Sequence, residues 1–178
     1  MQTIYILLTR STTIVSHIVA IFTGDKFTHA SLSCDKDLHS LCSFTRRHAS
    51  FPLPAGLMEE KLRGGYYDHH RQIPCALLMI SVEDSVYEAL QKRLHRMLSC
   101  RRRYRYHISG LLRCQMGLVS YHPTKYFCSR FVAELLEESG ALHLPKNASL
   151  MRPQDFLSLP ETTCVYQGRL AGLLYTLN

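Results

Sequence analysis

Two short apolar runs joined by a polar turn set the first constraint on the fold. Thr28 to Cys34 and His39 to Thr45 have strand composition, and Asp35-Lys36-Asp37 between them supplies turn chemistry. They predict an antiparallel hairpin. Thr3 to Thr9 and Cys75 to Val82 read as further strands, and Thr163 to Gln167 as a late one. Helical spacing predicts a helix from Ser11 or Thr12 to Gly24, with Ile14, Val15, Ile18, Val19 and Phe22 as its apolar stripe. A second helix runs from Glu83 to about Ser99, with Val86, Leu90, Leu94 and Met97 facing inward. A shorter one spans Ile108 to Met116, and Arg152 to Leu159 holds one helical turn. Residues 47–73, with Pro52, Pro54, Gly56, Gly64 and Gly65, read as a long irregular loop along one side of a cleft. A hairpin plus helices, without regular strand–helix alternation, predicts an α+β fold.

A chain of 178 residues suits a single domain, 1–178, with a sizeable core. Hydrophobic content of 46% with 20% charged residues places it among globular proteins. The seven cysteines are an odd number and form no C-x-x-C pair, which argues against a zinc knuckle or a dithiol redox motif. Free thiols fit a reducing compartment, so a cytoplasmic location is expected. Arg10 breaks the first apolar run, and Ile14 to Phe22 is too short to span a bilayer.

The net charge of +7 allows an anionic partner. Its densest run is Arg101-Arg102-Arg103-Tyr104-Arg105-Tyr106-His107. Arg interleaved with Tyr could grip a nucleic-acid backbone and stack bases. A solvated helix end, with cations complementing the helix dipole, is the favoured reading. No recognised nucleic-acid-binding motif accompanies the run, so nucleic acid is not the expected partner.

Cys128 carries the chemical signal. Phe127, Phe131, Val132, Leu135 and Leu136 recur at helical spacing, and Gly140 is a suitable stop. A thiol in the first helical turn sits beside unpaired backbone N–H groups and the positive end of the dipole, which favour thiolate, the nucleophilic form. A buried cysteine filling a helix–sheet contact is the bland alternative. A cysteine nucleophile needs a base, usually held by a third group. Of ten histidines, His29 is best placed, since it opens a predicted strand. His69, His70 and His122 fall in loops, His17 on the polar side of the first helix and His95 on a charged helix face. If the hairpin loop has three residues, 31 pairs with 43 and 29 with 45, so His39, Ser43 and Thr45 share the His29 face; a two-residue loop would put Ser40 and Cys42 there instead. Ser43 is then the first choice for the third group and His39 the second. Neither is a carboxylate, which predicts a dyad or a neutral orienter.

Two stretches resemble the circularly permuted papain-like cysteine hydrolases, the NlpC-related group that includes YiiX-like proteins. One is Ile4 to Ser11 followed by Thr23-Gly24-Asp25-Lys26-Phe27-Thr28-His29-Ala30-Ser31. The other is Tyr126-Phe127-Cys128-Ser129-Arg130-Phe131-Val132-Ala133-Glu134-Leu135-Leu136. In that group the His-bearing strand precedes the Cys-bearing helix, as His29 precedes Cys128 here. Leu41-Cys42-Ser43-Phe44-Thr45-Arg46-Arg47 is similar to a Tyr-Ser-Phe-Gly-Arg strand of one bacterial branch, with Cys42 and Thr45 as departures. Arg152-Pro153-Gln154-Asp155-Phe156 resembles a later Pro-x-Asp structural element. Some branches carry a glutamate or second histidine as third polar group, for which the sequence shows no clear equivalent.

The resemblance implies a permuted papain-like fold with an antiparallel sheet packed against the Cys128 helix. It implies acyl transfer without metal or organic cofactor: Cys128 attacks a carbonyl, His29 serves as base and then acid, and the Cys128 N–H helps bind the oxyanion. The implied substrate is a small amide, peptide, ester or lipid-linked amide. Acyl transfer of the lecithin–retinol acyltransferase-like type, and a non-catalytic ligand- or protein-binding module on the same fold, are the alternatives.

Overall fold

The computed structural model describes residues 1–10, 24–48 and 51–177. The apolar N-terminal run becomes β1 (Gln2–Thr9), buried on both faces from Ile6 to Thr9 as an unbroken hydrophobic strand must be. The predicted hairpin is β2 (His29–Ser33) with β3 (Leu41–His48). β4 (Phe51–Glu60), β5 (Pro74–Val82) and β8 (Thr163–Arg169) complete a six-stranded sheet in the order β4-β3-β2-β1-β5-β8. Every neighbouring pair is antiparallel. β6 (Arg105–Tyr106) and β7 (Lys125–Tyr126) form a separate short parallel pair. The helices of the described residues are α1 (Asp84–Ser99), α2 (Ile108–Gln115), α3 (Cys128–Ser139) and α4 (Leu170–Thr176). The chain is therefore α+β on an antiparallel sheet.

Alternation along the strands sorts their side chains into two layers. One face carries Ile4, Ile6, Leu8, Ala30, Leu32, Phe44, Leu78 and Ile80. Onto it α1 lays Leu90, Leu94 and Met97, and α3 lays Phe131, Val132, Leu135 and Leu136. Each such leucine or phenylalanine contributes about 1.5–3 kcal/mol of transfer free energy, so α3 is anchored by its packing. The opposite face carries Leu7, Leu41, Cys75 and Leu77, covered by Leu62, Tyr67 and the leucines of α4. α3 stops at Gly140, whose φ of +80° is left-handed. There the Ala141 N–H closes back on the Leu136 carbonyl at 2.9 Å.

The hairpin has the register expected for a three-residue loop, since Leu32 lies opposite Cys42. The predicted loop over 47–73 requires correction. Phe51–Glu60 is a ten-residue strand laddered to β3. Pro52 and Pro54 disguise it in the sequence, yet β4 ends the strand order, and a proline's missing N–H is tolerated on an open edge. Within the remainder, Tyr66–His69 forms a single 3-10 turn. The helix predicted to end at Gly24 falls on residues 11–23, with His17, which lie outside the described residues.

Candidate active site

Cys128 is the first residue of α3. The preceding Phe127 is the helix N-cap, extended at φ −113° and ψ 166°, and its side chain has no acceptor for the helix. The first-turn N–H groups at Cys128 therefore lack a capping side chain and point out of the helix beside the thiol. Arg130, itself buried, fixes this helix start. Its guanidinium donates to the Lys125 carbonyl at 3.0 Å and to Glu134 Oε2 at 3.1 Å, and stacks over the Tyr126 ring at 4.6 Å. The start of α3 is thereby tied to β7, three residues upstream of the cysteine.

His29 opens β2, and its imidazole makes a side-chain hydrogen bond with Cys128. Nε2 lies 3.0 Å from Glu60 Oε1 and 3.2 Å from Ser31 Oγ. Glu60 and Ser31 both engage Nε2, which leaves Nδ1 as the nitrogen for a thiol partner. Side-chain parity explains the placement. Ser31, Ser43 and Glu60 stand on the α4 side of the sheet, whereas α3 packs on the other side. At the strand terminus the His29 ring reaches both layers.

Glu60, the last residue of β4, is the group that the sequence did not reveal. Its carboxylate also accepts from Ser31 Oγ at 3.1 Å, from the Tyr67 hydroxyl at 2.8 Å and from Ser43 Oγ in a short contact. Ser43 shares the His29 face, and its hydroxyl donates to Glu60 rather than to His29. His39 is exposed and bonds Asp35 Oδ2 at 2.9 Å in the hairpin turn, so it takes no part. The expected dyad or neutral orienter gives way to a carboxylate. Pairing places it: Leu41 lies opposite Glu60 and Ser43 opposite Met58, so Glu60 shares the Ser43 face two positions along. Once 47–73 is read as loop, no parity can be assigned to residue 60, which is why the sequence reading missed it.

Burial opposes charge on both partners, and their proximity outweighs it. For His29, burial disfavours the imidazolium, but the Glu60 carboxylate and the hydrogen bonds to Cys128 and Glu60 hold its pKa well above the ordinary 6.5. For Glu60, burial disfavours the carboxylate, but the His29 charge and the donors His29, Ser43 and Tyr67 hold it well below the usual carboxylate range. The site thus favours an imidazolium–carboxylate pair beside the thiol. Other thiols sit in different surroundings. Burial pushes Cys42 and Cys75 up to about 12 and Cys34 and Cys114 up to about 11. Burial raises the Tyr106 phenol on β6, and a thiolate at Cys128 would raise it further.

Of the remaining histidines, His95 and His69 are exposed, and His107 and His122 meet edge to face with ring centres 5.8 Å apart. Asp35, Asp37 and His39 form the one metal-type ligand group among the described residues. The Asp35 carboxylate there already holds the turn by accepting from the Asp37 and His39 N–H groups. The Arg152 to Phe156 motif forms the 3-10 turn Pro153–Ser158, with Asp155 accepting from the Arg152 N–H at 2.7 Å. Arg152 also pairs with Asp25 at 3.3 Å and Asp155 with Lys146 at 2.7 Å, so the turn is tied to neighbouring segments. No family model matches the chain, and no curated protein matches it at a significant level.

Proposed function

We propose that this protein is a thiol hydrolase that cleaves an amide, peptide or ester through an acyl-enzyme on Cys128. The observation that carries the reading is one continuous chain of contacts, Cys128 to His29 to Glu60. In it, the proton passed from the Cys128 thiol to His29 makes the imidazolium that Glu60 stabilises, and the resulting thiolate attacks the substrate carbonyl, forming the C–S bond. The oxyanion is met by the N–H of Cys128 at the uncapped start of α3. His29 returns the proton to the leaving amine or alcohol as the carbonyl re-forms. Water, deprotonated by the same imidazole, then releases the acid and restores the thiol. Glu60 holds the ring in one orientation and balances its charge, the role of a triad's third member. The His-strand before Cys-helix order supports the permuted papain-like relationship. Acyl transfer to a non-water acceptor uses the same residues.

Brief labelling with iodoacetamide at neutral pH, followed by peptide mapping, tests the nucleophile. Cys128 is expected to label ahead of the exposed Cys100 and Cys164 despite being only 3% exposed itself. Labelling of Cys128 no faster than Cys100, or a Cys128 rate unchanged by His29→Ala, would remove the basis for catalysis.

A further inference from the structure

The chain's positive charge is concentrated in one stretch. Between Glu88 and Glu134 the sequence has no Asp or Glu, yet ten of the 21 Lys and Arg fall there. That stretch accounts for the entire positive excess, and the rest of the chain is slightly acidic. Arg101, Arg102, Arg103, Arg105 and Arg113 are exposed and, with Lys125, make no ion pair among the described residues.

The same stretch holds most of the misplaced apolar surface. Nine large hydrophobic side chains stand exposed among the described residues, and six of them, Ile108, Leu112, Met116, Leu118, Val119 and Tyr121, lie between 108 and 121. On α2 the pattern is ordered. Gly110 and Cys114 face inward, whereas Ile108 and Leu112, four residues apart, point to solvent, and Met116 continues their line just past the helix end. The Arg113 guanidinium donates to the Val119 carbonyl at 3.1 Å, which sets a cation within this apolar segment. Arg105 leads directly into α2 and lies beside Lys125 in the β6–β7 pair.

We propose that α2 and the 116–121 segment dock on an anionic lipid surface, with the apolar stripe entering the interface and the flanking arginines meeting headgroup phosphates and carboxylates. The charge selects the occupant. A second copy of this chain would bring its own unpaired arginines against these. A nucleic acid would use the cations but would leave Ile108, Leu112 and Met116 without an apolar partner. Lys125, beside Arg105 in the β6–β7 pair, lies three residues before Cys128, so the cations of this stretch continue into the segment that leads to α3.

Sedimentation with phosphatidylcholine vesicles, with and without phosphatidylserine, tests this directly. Binding is expected only to the serine-containing vesicles and is expected to weaken with salt. Leu112→Glu with Met116→Glu, and separately Arg101→Gln with Arg102→Gln and Arg103→Gln, should each lower the partition coefficient by about tenfold or more. These side chains are exposed, so the thermal midpoints should match wild type. Cys128→Ser should bind like wild type, which keeps this result separate from the catalytic reading. No retention on serine-containing vesicles at low salt would overturn the proposal, as would retention indifferent to the Leu112/Met116 pair. Oligonucleotide binding in place of vesicle binding would assign the surface to nucleic acid. A dimer dissolved by that pair, without vesicle binding, would assign it to a second copy.

Discussion

At the scale of single residues, the site depends on a carboxylate and an imidazole that keep each other charged. The His29–Glu60 pair is mostly buried, with side chains 12% and 13% exposed, and Glu60 receives three further donors. The shifts fix a pH window. Glu60's stabilisation is present above its unfolded value near 4.5 and is lost as pH falls toward its lower folded value. The His29 contribution is full below the unfolded value near 6.5 and is lost as pH rises through its raised folded value. Replacing Glu60 with Gln keeps the shape and removes the charge. Its cost to stability is expected to be about 1.5–3 kcal/mol. In chemical-denaturation series, the gap between wild type and Glu60→Gln should be widest between about pH 4.5 and 6.5 and narrow on either side. The same variant should slow Cys128 labelling by about tenfold or more. A gap that is flat with pH, or labelling at the wild-type rate, would show that Glu60 does not support the imidazolium.

At the scale of elements, the legible parts were those whose periodicity matched their environment. α1 keeps Leu90, Leu94 and Met97 on the core, and α3 keeps Phe131, Leu135 and Leu136 there, so helical spacing located both. Turn chemistry located the hairpin but left its register open between a two- and a three-residue loop; the observed pairing of Leu32 with Cys42 is that of the three-residue loop, which puts Ser43 on the His29 face. β4 was illegible because two prolines and a glycine imitate a loop, and an edge strand tolerates them. That error hid Glu60. Leu170–Thr176 went unread because seven residues give too short a period. Gly140 tests whether α3 owes its length to its C-terminal stop. Its φ of +80° is strained for any residue with a Cβ, although no atom lies within 4 Å of where that Cβ would go. Gly140→Ala should therefore cost about 1 kcal/mol through backbone strain alone. Labelling of Cys128, at the other end of α3, should be unaffected. A neutral or stabilising substitution by equilibrium denaturation would mean that the turn relaxes into another conformation.

At the scale of the whole molecule, one sheet serves two cores. Cys42 is buried at 3% exposure in the layer under α1 and α3, and Cys75 at 0% in the layer under α4. Neighbouring strands interleave their contributions to both layers, so neither core can come apart without breaking ladder bonds of the other. A single cooperative unit is the expected outcome. Cys42 and Cys75 report on it separately, since each thiol is sheltered and pushed up to about 12 in the native state. In a Cys128→Ser background, which removes the thiol expected to react first, short alkylation pulses across a denaturant series should label both cysteines at one midpoint. That midpoint should also match the loss of helical signal. Cys100, exposed at the end of α1, should label throughout and calibrates the pulse. If Cys75 labels at lower denaturant than Cys42, the α4 layer opens on its own. The site would then lose the Tyr67 donor to Glu60 before the sheet unfolds, and the chain would not behave as one domain.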